Sequence, residues 1–236
     1  MAPAARLIDV EKTYSIGPIE VPAVRGVSLD VEPGDFMAIA GPSGSGKTTL
    51  LNLLGVLDTP TSGTIEIGGT SIGGLKPKTL ADFRNTHLGF VFQTFNLIPV
   101  LTAHENVEFP LLLKGISDSA ERSGKVEEIL KDVGLEGLSD RRPSELSGGQ
   151  QQRVAVARAL VKDPTLVLAD EPTANLDSAT AEELMALMKE MNDRKSTTFI
   201  FSTHDPLVMK HAVRLVLLRD GRVESDSAGE GNGHGT

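Results

Sequence analysis

The sequence predicts an α/β protein built on a buried parallel sheet with helices packed against it. Three observations carry this. The runs "FMAIA", "TLVLAD" and "TTFIFS" are short, continuous and apolar, as strands buried on both faces must be. Helical periodicity lies between such runs: in "SATAEELMALMKEMN", Leu184, Leu187, Met188 and Met191 follow i, i+3, i+4, i+7 spacing. A glycine-rich turn, "GPSGSGKTT", joins the first run directly to the helical "KTTLLNLLGVL".

The elements follow in order. "ARLIDV" and "VRGVSLDVEP" alternate apolar with polar residues roughly and "GTIEIGG" cleanly, which predicts β structure over this first stretch. From about Thr94 to Ala159 the pattern turns helical. Thr102 to Glu105 spells T-x-x-E, a capping box. Val126, Ile129, Leu130 and Val133 share one helical face, and Gly134 is placed to end that helix. "RLVLLRDGRVES" predicts a hairpin turning at Asp220-Gly221. The final "SDSAGEGNGHGT" has almost no apolar content and is expected to be a disordered tail in which His234 is solvated. The expected division of a single domain is therefore a core with its β unit from 1–93 and 160–224, a helical insertion from 94–159, and a tail from 225–236.

Composition narrows the function. With 236 residues, 39% of them hydrophobic, the chain can bury one sizeable core. A net charge of -9 argues against a broad nucleic-acid face, and one tyrosine with no tryptophan argues against a stacking platform. There is no cysteine, so disulfides and thiolate metal sites are excluded. "MAPAARLIDV" lacks the pattern of a signal peptide, and no apolar run approaches the ~18 residues of a membrane span.

Gly41 to Thr48 matches G-x-x-x-x-G-K-[ST] in its proper context, after a buried strand and opening a helix. In that pattern backbone N–H groups turn inward around phosphate oxygens, Lys47 supplies charge for the terminal phosphates, and Thr48 offers a hydroxyl to Mg²⁺. Asp170-Glu171 closes another buried strand, at the edge where open α/β sheets bind ligands. The pair fits a metal-shell carboxylate and a general base, or equally two helix-capping acids. His204 after "TFIFST" and Gln93 after "GFVF" each have a bland alternative, as a structural hydrogen-bonder and a turn residue. "LSGGQQQR" opens a second helix on a glycine-rich turn, either a second anion cradle or a plain serine cap.

Taken together, "GPSGSGKTT", "FVFQTFN", "LSGGQQQR", "LVLADEPT", "ANLD" and "STHD" occur in the order of the nucleotide-binding subunits of ABC transporters, which the chain resembles from "VEKTYSIG" to "RDGRVES". The resemblance implies a P-loop NTPase (RecA-like) α/β core with an N-terminal antiparallel β subdomain and an inserted α-helical subdomain. It implies ATP and Mg²⁺ as cofactors. Tyr14 is expected to stack on adenine, with ordinary packing at a strand end as its alternative. Gly41, Pro42, Ser43, Gly44, Ser45, Gly46, Lys47, Thr48 and Thr49 are expected to wrap the phosphates. Thr48, Gln93 and Asp170 are expected to order the metal, Glu171 to orient the attacking water, and His204 to contact the γ-phosphate. The resemblance implies a homodimer packed head to tail, in which Leu146, Ser147, Gly148, Gly149 and Gln150 complete the ATP site of the opposite copy and Asp177 touches that copy near its phosphate loop.

The branch resembled is that of macrolide exporters and lipoprotein-release systems. It implies an integral-membrane permease partner of four spans with a large extracytoplasmic domain, no nucleic acid, and a place on the cytoplasmic face of the membrane through that permease. Phe95, Leu97, Ile98 and Pro99 are expected either to line the groove that receives a helix of the permease or to belong to the core. The alternative function is a soluble ABC ATPase of repair, translation or cluster assembly. Against it stand the short interval between the two glycine-rich motifs and the absence of sustained heptads. A nucleotide-gated scaffold that does not hydrolyse is disfavoured by the presence of both Glu171 and His204.

Overall fold

The computed structural model describes residues 2–229. A six-stranded sheet at the centre is formed by β3 (Phe36–Ala40), β6 (Leu88–Phe92), β7 (Leu166–Asp170), β8 (Thr198–Thr203), β9 (Arg214–Arg219) and β10 (Arg222–Asp226). Its order is β10-β9-β3-β8-β7-β6, all neighbours parallel except the hairpin β9–β10. A second, antiparallel sheet, β2-β1-β4-β5, comprises β1 (Ala5–Ile16), β2 (Ile19–Val31), β4 (Ser62–Ile67) and β5 (Thr70–Ser71).

Strand period two divides the core. Phe36, Ala38, Val167, Ala169, Phe199 and Phe201 face one side, where α3 (Ala103–Leu113), α4 (Ser119–Asp132), α5 (Gly148–Leu160), α6 (Ser178–Lys195) and α7 (Pro206–His211) bury their apolar stripes. Met37, Ile39, Leu166, Leu168 and Ile200 face the other, covered by α1 (Lys47–Leu54), α2 (Pro77–His87) and the antiparallel sheet. Phe36 stands edge-on to Phe201 at 4.7 Å between ring centroids, locking β3 to β8.

Local signals act as the residues dictate. Thr102 caps α3 with both bonds of the capping box. Val126, Ile129, Leu130 and Val133 are buried together. Asp220 and Gly221 both take positive φ, as the tight turn between β9 and β10 requires.

At the C-terminal end the structure corrects one boundary. Residues 225–229 belong to the fold: β10 runs to Asp226, whose carboxylate pairs with Arg214 at 2.6 Å, and a 3₁₀ turn follows at Ser227–Gly229. This ion pair and the bond from Leu215 N to Ser227 Oγ anchor a segment with little apolar content to pack. The remainder of the expected tail, with His234, lies outside the described residues. No described helix is long and apolar enough to cross a membrane.

Candidate functional site

Four loops leave the C-terminal ends of neighbouring strands β3, β8, β7 and β6 and surround one cavity of about 630 Å³. The loop after β3 contributes Pro42, Ser43, Gly44, Gly46, Lys47, Thr48 and Thr49. Gln93 enters from β6, Glu171 from β7 and His204 from β8, with Ala23 of β2 on the rim.

The first loop is fixed by its surroundings. Gly46 has φ +101, and a Cβ there would lie 2.3 Å from Ala23 O, so only glycine fits. Ser45 O accepts from the N–H of Gly221 in the β9–β10 turn at 2.9 Å. Lys47 is only 8% exposed and donates to Gly41 O and Pro42 O at 2.8 and 2.9 Å. It opens α1, so its ammonium and the free N–H groups of the first turn are presented from one place.

Asp170 and Glu171 divide their environments. Asp170 is half-buried, and its Oδ1 is buried with no hydrogen-bond partner. Burial pushes its carboxyl up; the charge of Glu171 adds to this, and Ser202 and Lys47 oppose it. Glu171 takes φ +45, a conformation uncommon for a residue with a side chain. Its backbone N–H is pinned to Ser202 O at 2.9 Å. Glu171 Oε2 accepts from Thr203 Oγ1 at 3.1 Å, and Oε1 lies 2.5 Å from His204 Nδ1.

Not every candidate lines this cavity. Tyr14 lies beyond its lining: its hydroxyl donates to Asp58 Oδ2 at 2.9 Å, and Lys12 Nζ sits 4.9 Å from its ring centroid. Burial, with help from Asp58, pushes the phenol up, while Thr49 and Lys12 oppose. Leu146 to Gln150 open α5 away from the cavity. Ser147 Oγ accepts from Gln150 N, and Gln150 Oε1 accepts from Ser147 N, a complete capping box. Asp177 caps α6, accepting from Ala179 N, Thr180 N and Thr180 Oγ1, which together hold its carboxyl low, the Thr180 hydroxyl most strongly. The two caps adjoin, since a Cβ on Gly149 would lie 2.4 Å from Thr180 Cγ2. Of the apolar segment after Gln93, Leu97 packs against the core.

Sequence reasoning missed three participants. Thr203 positions Glu171, and Ala23 closes the rim; neither carries a local signal, because tertiary approach places them. Gln152, fully buried on α5, donates to Pro172 O at 2.7 Å and Phe92 O at 3.4 Å, tying that helix to the loops that carry Glu171 and Gln93.

Known proteins resemble this chain in sequence and fold. The ABC transporter family matches residues 24–174. The macrolide export ATP-binding/permease protein MacB of Syntrophobacter fumaroxidans is 50% identical over 96% of the chain, which spans 32% of that longer protein. The lipoprotein-releasing system ATP-binding protein LolD of Anaeromyxobacter dehalogenans is 46% identical, over 95% of the chain and 94% of that protein. The ATP-binding cassette MJ0796, solved as a dimer in a post-hydrolysis state with ADP and Pi, superposes with a TM-score of 0.86 at 45% identity, over 94% of this chain and 97% of that one. Its organism is Methanocaldococcus jannaschii. With the motifs in order, the fold superposed and the strand-end cavity assembled, the chain belongs to the ABC transporter family as an ATP-binding domain.

Proposed function

We propose that this protein hydrolyses ATP in two sites shared by a head-to-tail pair of copies, and that closure of the pair drives a separate membrane permease in export, lipoprotein release or transmembrane mechanotransmission. The observation that supports it best is the gathering of Lys47, Gln93, Glu171 and His204 around one cavity while Ser147 caps a helix outside it. A phosphate cradle in this cavity and a second anion-binding helix end elsewhere on the chain make sense when two copies face each other.

In this reading the N–H groups from Gly41 to Thr49 and the Lys47 ammonium hold the phosphates, and Tyr14 stacks on the adenine. Asp170 offers a buried oxygen with no other partner, and Thr48 and Gln93 offer neutral oxygens at the cavity wall, a donor set that fits Mg²⁺. When bound, the ion neutralises charge on the β- and γ-phosphates. Glu171 receives its geometry from Thr203 and His204 and orients the water that attacks the γ-phosphorus. The bond from phosphorus to the ADP oxygen breaks as that water adds. Ser147 and the Gly148-Gly149 backbone of the opposite copy meet the γ-phosphate, and Asp177 lies near that copy's phosphate loop. Hydrolysis then removes the group that holds the pair closed.

The partner is proposed to be a permease of four spans with a large extracytoplasmic domain, which places this chain at the cytoplasmic face of the membrane. Glu171→Gln tests the core of the reading. With Mg-ATP it is expected to keep nucleotide binding, lose hydrolysis by about 10²–10⁴-fold, and run as a dimer in light scattering. A variant that binds ATP but stays monomeric would overturn the shared-site arrangement.

A further inference from the structure

The Tyr14 hydroxyl, which donates to Asp58 Oδ2 at 2.9 Å, is one member of a larger network. The other oxygen of that carboxylate accepts from Lys12 Nζ at 2.6 Å and from the Thr59 N–H at 2.7 Å. Lys12 Nζ also donates to Thr59 O at 2.8 Å and sits 4.9 Å from the centroid of the Tyr14 ring. The ammonium thus divides its donors between two oxygens and an aromatic face. Thr49, from the first turn of α1, approaches the phenol oxygen as well.

Both sides of the network are fixed to the backbone. Lys12 and Tyr14 lie on β1, two residues apart. Asp58 lies in the loop after α1, whose first turn carries Lys47 and Thr48. That loop is stitched to β1: Thr61 N donates to Glu11 O at 2.8 Å, and Thr13 N to Thr61 Oγ1 at 3.0 Å. On the other side of β1, the pairs Lys12–Val24 and Thr13–Pro22 leave Ala23 of β2 without a partner. This bulged residue is the one on the rim of the phosphate cavity. Tyr14 is the next residue along β1, so its place on the strand is set beside that rim.

Holding two long side chains in a surface ion pair costs entropy and stabilises little. This pair is different: the Lys12 side chain is only 12% exposed, Asp58 only 29%, and their bonds converge on one ring. What the network achieves is orientation. A phenol bonded to a fixed acceptor has lost its rotamer freedom before any ligand arrives. With the ammonium on one face of the ring, the opposite face is left for a flat ligand.

We propose that Asp58, itself clamped by Lys12, is the positioning residue that holds the Tyr14 ring ready for a nucleobase, so that the base meets a platform already set. The inference rests on the reading above, that Tyr14 stacks on the adenine, and adds the group that aims it.

The test compares ADP with inorganic pyrophosphate, which has its phosphates and lacks its base, by titration calorimetry on the full chain. Tyr14→Phe keeps the ring and removes the bond; Asp58→Ala removes the acceptor. Each should weaken ADP by about three- to ten-fold and leave pyrophosphate within about two-fold. The double variant should bind ADP no more weakly than Asp58→Ala, because both changes delete one interaction. The chain has one tyrosine and no tryptophan, so its emission reports this ring. A carboxylate that accepts from a phenol quenches it, and free Asp58→Ala should therefore fluoresce more brightly; unchanged emission overturns the bond itself. Tyr14→Ala separates the two claims. If it binds ADP as tightly as the unsubstituted chain, the stacking reading fails and the inference with it. Suppose instead that Tyr14→Ala weakens ADP while Tyr14→Phe does not, that the losses in Tyr14→Phe and Asp58→Ala add in full, or that pyrophosphate weakens in step with ADP. Stacking then stands, and positioning by Asp58 is overturned. Tyr14→Phe alone decides the matter if Asp58→Ala does not fold.

Discussion

Thr203 has two duties. Its hydroxyl donates to Glu171 Oε2 and accepts from Asp205 N at 2.9 Å, so the side chain is held at both ends while it aims the carboxylate. Thr203→Val keeps the shape and removes the bond. Steady-state kinetics should show kcat falling by roughly ten-fold, the scale of one hydrogen bond to a charged group, with KM for ATP little changed. Equal kcat in the two proteins would mean that His204 alone positions Glu171. Lys162 supports a prediction of a different kind. Burial first, and then Lys114, push its ammonium down from 10.5 to about 8. Below pH 8 both folded and unfolded chains carry the proton, and the folded state bears the whole penalty. As pH rises from about 8 to 10.5 the folded protein sheds the proton before the unfolded chain does, so its stability rises. Lys162→Met should therefore stabilise the protein by of order 1–3 kcal/mol at pH 7, with the advantage fading toward pH 10. Urea titrations of both proteins across that range check the sign.

At the scale of elements, the contact between the caps of α5 and α6 is sharply defined. Gly149→Ala drives a methyl into Thr180 Cγ2 and is expected to cost about 1–3 kcal/mol. Thr180→Ser removes that carbon while keeping the hydroxyl that bonds Asp177, so the double variant should recover most of the loss in thermal denaturation. Some elements announce themselves in sequence and some do not. The capping box at Thr102 and the turn at Asp220-Gly221 are visible because a few adjacent residues determine them. The helix α2 escaped notice because Phe83 is its only buried side chain, so "PKTLADFRNTH" shows no apolar stripe. The last residue of β10, Asp226, fell in the expected tail but belongs to the strand because Arg214, on the facing strand β9, supplies its partner. In the site, Gln93, Glu171 and His204 were legible because each follows its strand directly, and Lys47 because the glycine-rich loop after β3 leads to it. Their brace at Thr203 was quoted within "STHD" but needed three dimensions to acquire a purpose.

Across the whole molecule, the four catalytic candidates come from four neighbouring strands of one rigid sheet, so the sheet sets their spacing. The helix α5 packs along the edge strand β6 of this frame. It carries Ser147 and the paired glycines at one end and Arg158 near the other. The buried amide of Gln152 bonds Pro172 O and Phe92 O, Val154, Val156, Ala157, Ala159 and Leu160 lie in the core beneath the helix, and a Cβ on Gly89 of β6 would lie 2.7 Å from Ala159 O. From Gly148 to Arg158 the helix spans about 15 Å. Seated along that whole length, it moves only as one rod with the strand beneath it, so a shift at Gly148 is matched at Arg158 rather than absorbed between them.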